Sequence, residues 1–418
     1  MDRQRTYADH VADILVSLGY THCFLVPGGA IMHLVDAVRT RMECIPVVHE
    51  VAAVIAAEYF NVTSSNARAC ALVTVGPGVT NALTGMAGAY LDSHDVLVLA
   101  GQVKSADLSR GEVRQRGIQE LDGVAMAAPV TVSARCIETP IPDEELIKLV
   151  TTGIQDRKGP VFLEMCLDAQ GAPWPKAPAP SEAPVSEVSG EFVEAADLAS
   201  DVILRELRAA ERPILLVGGG VTHEVAQGCS ENLAQLGVPL MTTWNGFDRV
   251  ADDHPCFAGR PNTWGQRRAN VILSQADCII ALGTRLGIQQ TGFNWQQWGP
   301  PEGAGVVVQV DVDKSELTKG HPRVDHAIQA DANTVLQKIA RGEPISITPW
   351  WEHIALVNER IPLLDPENHT GDRYLSPYQL VDQLSDVMTG SDVLVPASSG
   401  SGQFVPMETF RSTSGQRV

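Results

Sequence analysis

The stretch Ala71-Leu72-Val73-Thr74-Val75-Gly76-Pro77-Gly78-Val79-Thr80-Asn81 decides the fold: a short apolar run ends abruptly in a glycine-rich turn. Similar short runs recur at Cys23-Phe24-Leu25-Val26, Val96-Leu97-Val98-Leu99-Ala100 and Val161-Phe162-Leu163-Glu164-Met165, with helical patterns between them. Alternation of this kind predicts an α/β protein: doubly wound parallel sheets with helices on both faces. In such sheets ligands bind beyond the carboxyl ends of the strands. Three glycine-bearing loops, Pro27-Gly28-Gly29, Gly76-Pro77-Gly78 and Gly101-Gln102, fall there and frame one cleft.

The bulk properties narrow the class. At 418 residues, 44% hydrophobic and 19% charged, the chain has the length for two or three globular domains. A formal charge of −19 argues against nucleic acid or an anionic membrane as the main partner, because both require a basic surface. The eight cysteines are scattered without a Cys-x-x-Cys pair, several inside apolar runs, so they read as reduced core residues rather than disulfides or zinc ligands. The first residues lack the apolar core of a signal peptide, and no apolar run reaches membrane-spanning length. These features predict a cytoplasmic protein.

The expected domains are an α/β domain over 1–170, a proline-rich linker over 171–189, and a second α/β domain over 190–342. A further linker over 343–370 then leads to an incomplete domain over 371–418. Strands of the second domain are expected at Pro213–Val217, Val238–Thr242, Cys278–Leu282 and Val306–Asp311. Gly218-Gly219-Gly220 is either a phosphate cradle or a tight strand-to-helix turn, since it lacks the full dinucleotide fingerprint. A strand is expected again at Val393-Leu394-Val395, but the remaining residues are too few for a complete doubly wound domain.

Val26-Pro27-Gly28-Gly29-Ala30, His49-Glu50, Gly76-Pro77-Gly78-Val79-Thr80-Asn81, Leu91-Asp92-Ser93 and Gly101-Gln102 occur in this order. Together they resemble the acetolactate synthase family of thiamine diphosphate enzymes, in its large, catalytic subunit type. The similarity continues through Gly117-Ile118-Gln119-Glu120-Leu121-Asp122, Gly218-Gly219-Gly220, Leu282-Gly283-Thr284-Arg285 and Asp311-Val312-Asp313.

The resemblance implies a pyrimidine-binding, a central and a diphosphate-binding domain, with active sites between the subunits of a homodimer or homotetramer. It implies that Glu50, shielded from water, holds the cofactor's aminopyrimidine in its activating form, and that Pro77 and Asn81 contact that ring. Val26, Pro27, Gly28, Gly76 and Gly400 fall with Glu50 among the implied cofactor-binding residues. Gly29, Gln119 and His33 join Glu50 as implied catalytic residues, Gln119 meeting substrate and His33 relaying protons. Each also has an ordinary reading: glycines for sharp turns, Asn81 as a helix cap, Gln119 on the surface, His33 as a helix histidine, Glu50 at a helix start.

The implied reaction is decarboxylation of a pyruvate-like 2-oxo acid and carboligation of the remaining fragment to a second carbonyl. Simple decarboxylation, or acyl branching of a keto sugar, are the alternatives within the family. The implied cofactors are thiamine diphosphate and Mg2+. Arg285 leaves FAD open, although the acidic run that often follows it in relatives is missing. The Gly-Asp-Gly motif that holds magnesium in the family is not found in residues 1–418, so no metal ligand is assigned. A non-catalytic homologue acting in assembly, and an oxidoreductase built on Gly218-Gly219-Gly220, are the readings of other classes. The second lacks a ribose-binding acid at the required spacing.

Overall fold

A computed structural model describes residues 4–175, 188–371, 373–396 and 400–418, and the chain divides into two compact units, 1–187 and 188–418. Most of the expected proline-rich linker, residues 176–187, lies outside the described residues.

The first unit is built on β1 (Tyr20–Leu25), β2 (Glu43–Pro46), β3 (Arg68–Val73), β4 (Val96–Gln102), β5 (Ser133–Ile137) and β6 (Pro160–Cys166). They form one sheet in the order β2-β1-β3-β4-β6-β5, every pair parallel. Before, between and after them run α1 (Tyr7–Ser17), α2 (Met32–Val38), α3 (Glu50–Thr63), α4 (Pro77–Asp92), α5 (Gly123–Ala127), α6 (Asp143–Thr151) and α7 (Leu167–Gly171). Successive strand residues point to opposite faces. Accordingly Leu72, Leu97, Leu99, Leu163 and Met165 pack in one core with α1, α2 and α6. Ala71, Val73, Val98, Ala100 and Phe162 pack in a second core with α3 and α4. Both faces are dry, which is why the central strands read as unbroken apolar runs.

The second unit repeats the plan with β7 (Pro213–Val217), β8 (Leu240–Thr242), β9 (Phe257–Gly259), β10 (Cys278–Leu282), β11 (Val306–Asp311) and β12 (His326–Gln329), ordered β12-β11-β10-β7-β8-β9 and again parallel throughout. Its helices are α8 (Gly190–Ala209), α9 (His223–Leu236), α10 (Arg267–Ser274), α11 (Ile288–Thr291), α12 (Lys314–Thr318), α13 (Ala332–Ile339), α14 (Thr348–Arg360), α15 (Pro377–Val387) and α16 (Phe404–Thr409).

Two expectations are corrected here. Residues 343–370 are more than a connector: α14 buries Trp350, Ile354 and Val357 against Ile214, Leu216 and Ile279. The indole Nε1 of Trp350 donates to the Pro213 carbonyl at 3.1 Å. The expected strand at 393–395 is a single bridge between Val393 and Arg417. The final residues instead close an apolar cluster in which Val381, Val405, Met407 and Phe410 meet Trp244 and Phe247. Beside it Arg260, fully buried, makes paired bonds to Asp252 at 2.8 and 2.9 Å and donates to the Phe410 carbonyl at 2.7 Å.

Candidate active site

Glu50 is the first residue of α3, capped by His49, whose Nδ1 accepts from the Val51 amide at 3.3 Å. That placement suits a carboxylate, because unpaired amides and the helix dipole favour negative charge at a helix start. Yet Glu50 is only 9% exposed, so it is not the solvated surface acid that such positions usually hold. Its burial comes from α4, which crosses α3 closely: a Cβ on Gly85 would come within 2.6 Å of Val54.

α4 begins where β3 ends, in the glycine turn. Gly76 has φ +68° and the carbonyl of Gln119 lies 2.2 Å from where its Cβ would be, so both backbone and space demand glycine. Pro77 occupies the first turn of the helix, where a missing amide costs nothing. One turn on, Asn81 Nδ2 donates to Glu50 Oε2 at 2.9 Å. A Cβ on Gly78 would stand 3.5 Å from Glu50 Oε1 and 3.1 Å from Thr74 Cγ2, and one on Gly28 would lie 2.5 Å from Thr74 Oγ1. Glu50, Thr74, Gly78, Asn81 and Gly28 are therefore one neighbourhood, with the Thr74 side chain at its centre, packed against both glycines.

Val26 and Pro27 lead from β1 into this neighbourhood, and Gly29 opens the short 3-10 turn Gly29–Ile31 that follows. A Cβ at Gly29 would meet nothing within 4 Å, so that position borders open space. The turn is fixed from behind by Gln170, which donates to the Ala30 carbonyl at 2.8 Å. His33 contacts a different element: its Nε2 lies 2.9 Å from where a Gly171 Cβ would be, placing the ring on α7. Gly400 belongs to the second unit, exposed, at φ +53° in a short 3-10 turn.

Gln119 touches Gly76 through its backbone and has φ +57°, while its side chain and that of Ile118, 84% exposed, face outward. The loop that carries them is pinned by the adjacent buried Glu120. Its Oε2 accepts from the amides of Arg116 at 2.9 Å and Gly117 at 3.1 Å, and its Oε1 from that of Ser109. Burial alone would raise the Glu120 pKa, but these amides outweigh it and hold the carboxyl down at about 2. At the loop's far end Gln102, 1% exposed, donates from Nε2 to the Leu121 carbonyl at 2.9 Å and accepts from the Val103 amide at 2.8 Å.

Glu164, in the middle of β6 and 2% exposed, was not singled out from the sequence. The signal was present, a lone acid inside Val161-Phe162-Leu163-Glu164-Met165. Burial pushes its carboxyl up to about 8; the Gln102 amide opposes the shift, and the charges of Asp122 and Glu120 add to it.

Gly218-Gly219-Gly220 is closely packed. Gly218 and Gly220 pack on the backbone of Gly283, and Gly219 on Asn245, which explains a tight strand-to-helix turn. His94 pairs with Glu58 at 2.8 Å. Among the described residues, Glu58, Asp92 and His94 are the only acid and imidazole group with ligand atoms all within 4.8 Å of one another. They lie at the far end of α4, roughly 22 Å along it from Pro77 at 1.5 Å per residue.

Comparison with known proteins gives the family. The family description "Thiamine pyrophosphate enzyme, N-terminal TPP binding domain" matches residues 5–126, and "Thiamine pyrophosphate enzyme, central domain" matches residues 201–339. A probable acetolactate synthase large subunit of Methanocaldococcus jannaschii is 30% identical over 401 residues, covering 92% of this chain and 64% of the relative. The acetolactate synthase large subunit of Corynebacterium glutamicum is 28% identical over 431 residues, covering 97% and 65%. The isozyme 2 large subunit of Escherichia coli is 28% identical over 408 residues, covering 95% and 69%. The chain thus spans less than two thirds of the length of the first two relatives. With both domain descriptions in place along two parallel α/β sheets, the chain belongs to the thiamine pyrophosphate enzymes, in their acetolactate synthase-like branch.

Proposed function

We propose that this protein catalyses thiamine diphosphate-dependent decarboxylation of a pyruvate-like 2-oxo acid and joins the remaining fragment to a second carbonyl, as an acetolactate synthase-like carboligase. The observation that carries this reading is the buried Glu50 carboxylate, with one oxygen held by Asn81 and the other beside Gly78.

These residues fit the cofactor's aminopyrimidine. The ring needs a carboxylate oxygen free to meet a ring nitrogen, and Glu50 Oε1 lies beside Gly78, where no side chain projects, while Thr74 packs on Gly28 and Gly78. Asn81 fixes the orientation of that carboxylate, and burial strengthens whatever bond its second oxygen makes. When bound, the cofactor supplies the electron sink that lets a 2-oxo acid lose carbon dioxide. The protein's own part is to orient the Glu50 carboxylate through Asn81, to keep water from it, and to leave open space at Gly29 for the substrate.

Gln119 is assigned to the second carbonyl, since it stands beside Gly76 on a pinned loop with its side chain outward. His33, on α2 with its ring against Gly171 of α7, is assigned only an indirect role. Mg2+ joins the proposal as the diphosphate's counter-ion, with no residue assigned to hold it. A homodimer or homotetramer, with sites completed between subunits, is supported by the exposed Ile118 next to Gln119. A cytoplasmic location is supported by the eight free cysteines; no helix among the described residues is long and apolar enough to cross a membrane.

Calorimetric titration with thiamine diphosphate and Mg2+, followed by carbon dioxide release from a panel of 2-oxo acids, tests the proposal. Magnesium-dependent binding with pyruvate turnover is expected. Binding without release from any 2-oxo acid would remove the decarboxylase reading.

A further inference from the structure

Among the described residues, Glu164 is the one buried acid within the strands of the first sheet, and the proposed reaction leaves it unused. Parallel register aligns Val73 of β3 with Ala100 of β4, and Ala100 with Glu164 of β6. Val73, Ala100 and Phe162 all belong to the core under α3 and α4, so Glu164 closes that same face, on the side of the sheet where Glu50 begins α3. Its Oε1 is buried and has no hydrogen-bond partner, and it sits 2.5 Å from where a Cβ on Gly123 would be. Gly123 directly follows Leu121-Asp122, the end of the loop that carries Gln119.

We propose that Glu164 positions this loop, and with it Gln119, through an uncharged carboxyl pressed against Gly123. The assignment of Gln119 to the substrate rests on the function proposed above; the hold on the loop does not. A charged carboxylate with an orphan oxygen in an apolar layer is far costlier than a neutral acid. The groups facing Glu164 reinforce that preference. From the loop come the carboxylates of Glu120 and Asp122, both of which oppose a further negative charge. From β4 comes the Gln102 amide, which holds Leu121 and Val103 and also bonds the Glu164 carboxyl; it alone among these groups favours the charged form, and burial outweighs it. From β5 comes its register partner Cys136, and from its own strand Phe162. No cation is among them.

The loop is thus set by two acids in opposite states. Glu120, ionised, gathers the amides of Ser109, Arg116 and Gly117. Glu164, neutral, supports Gly123 from below. Ionising Glu164 would put a third negative charge beneath Glu120 and Asp122 and would loosen Leu121–Gly123, shifting the Gln119 backbone that packs on Gly76.

Hydrogen-deuterium exchange of peptides spanning 109–123 tests this without cofactor or turnover, comparing wild type and Glu164→Gln at pH 6.5 and at pH 9. Equal protection at pH 6.5 and severalfold faster exchange in the wild type alone at pH 9 is expected, since opening free energies set exchange rates. The same protection in both proteins at both pH values would overturn the proposal, as would an equal loss in both. Should Glu164→Gln not fold, the wild-type pH series decides: excess exchange with a midpoint near 8 supports the role, and its absence refutes it. Failure of thiamine diphosphate binding would sink the proposed function while leaving this result standing.

Discussion

Individual side chains carry most of the chemistry and were unevenly legible. Glu50 and Asn81 were readable because they flank a glycine turn in a fixed order, and the structure brings them to 2.9 Å. His33 was read as a proton relay or as a helix histidine; its neighbour is Gly171 on α7, and sequence spacing alone does not say which side of a short helix faces a cleft. Glu164 went unread because one acid in a strand has no period to betray it. The two loop acids make a pH signature with opposite signs. Glu120 is depressed from 4.5 to about 2, so its contribution is present above 4.5 and is lost as pH falls toward 2. Glu164 is raised from 4.5 to about 8, so its neutral form favours the fold fully below 4.5, and that advantage is lost as pH rises to 8. Melting temperatures from pH 2 to 9 should therefore show Glu120→Gln flattening only the acid side and Glu164→Gln only the range from 4.5 to 8. Identical pH profiles for Glu164→Gln and wild type would remove the buried acid as a source of the slope.

At the level of elements, the central strands were evident and the outer ones were not, for a single reason. β2, β5, β9 and β12 are the four strands that sequence reading missed, and each lies at an edge of its sheet. An edge strand is half solvated, so Glu43-Cys44-Ile45-Pro46 or His326-Ala327-Ile328-Gln329 lacks the continuous apolar run of a strand covered on both faces. α14 was missed because Trp350-Trp351 and its prolines look irregular, although Pro349 sits harmlessly in the helix's first turn. Trp350→Ala should cost about 3–5 kcal/mol, the usual range for a large aromatic lost from a core. Denaturant unfolding of the second unit measures it, and a loss under about 1 kcal/mol would return 343–370 to the status of a connector. Leu99→Ala, at the centre of β4, should cost about 2–5 kcal/mol in the first unit by the same argument.

For the molecule as a whole, the parallel sheets followed from the alternation of apolar runs with helical patterns and the family from motif order, while the packing of the final residues followed from neither. The C-terminal segment reads as the start of a new domain, yet α15 and α16 build a cluster on Trp244 and Phe247 of the second unit. The proposed two-subunit site makes assembly the expectation at this scale. Sedimentation should show a dimer or tetramer, and a strict monomer that still turns over 2-oxo acid would rule out sites shared between subunits. The central claim is that Glu50 activates bound thiamine diphosphate, and the rate at which the cofactor's thiazolium C2 proton exchanges with solvent reports it most directly. With cofactor bound to both proteins, wild type should exchange faster than Glu50→Gln by about 10²–10⁴-fold, the range of a positioned acid-base group. Equal exchange rates in the two would contradict it.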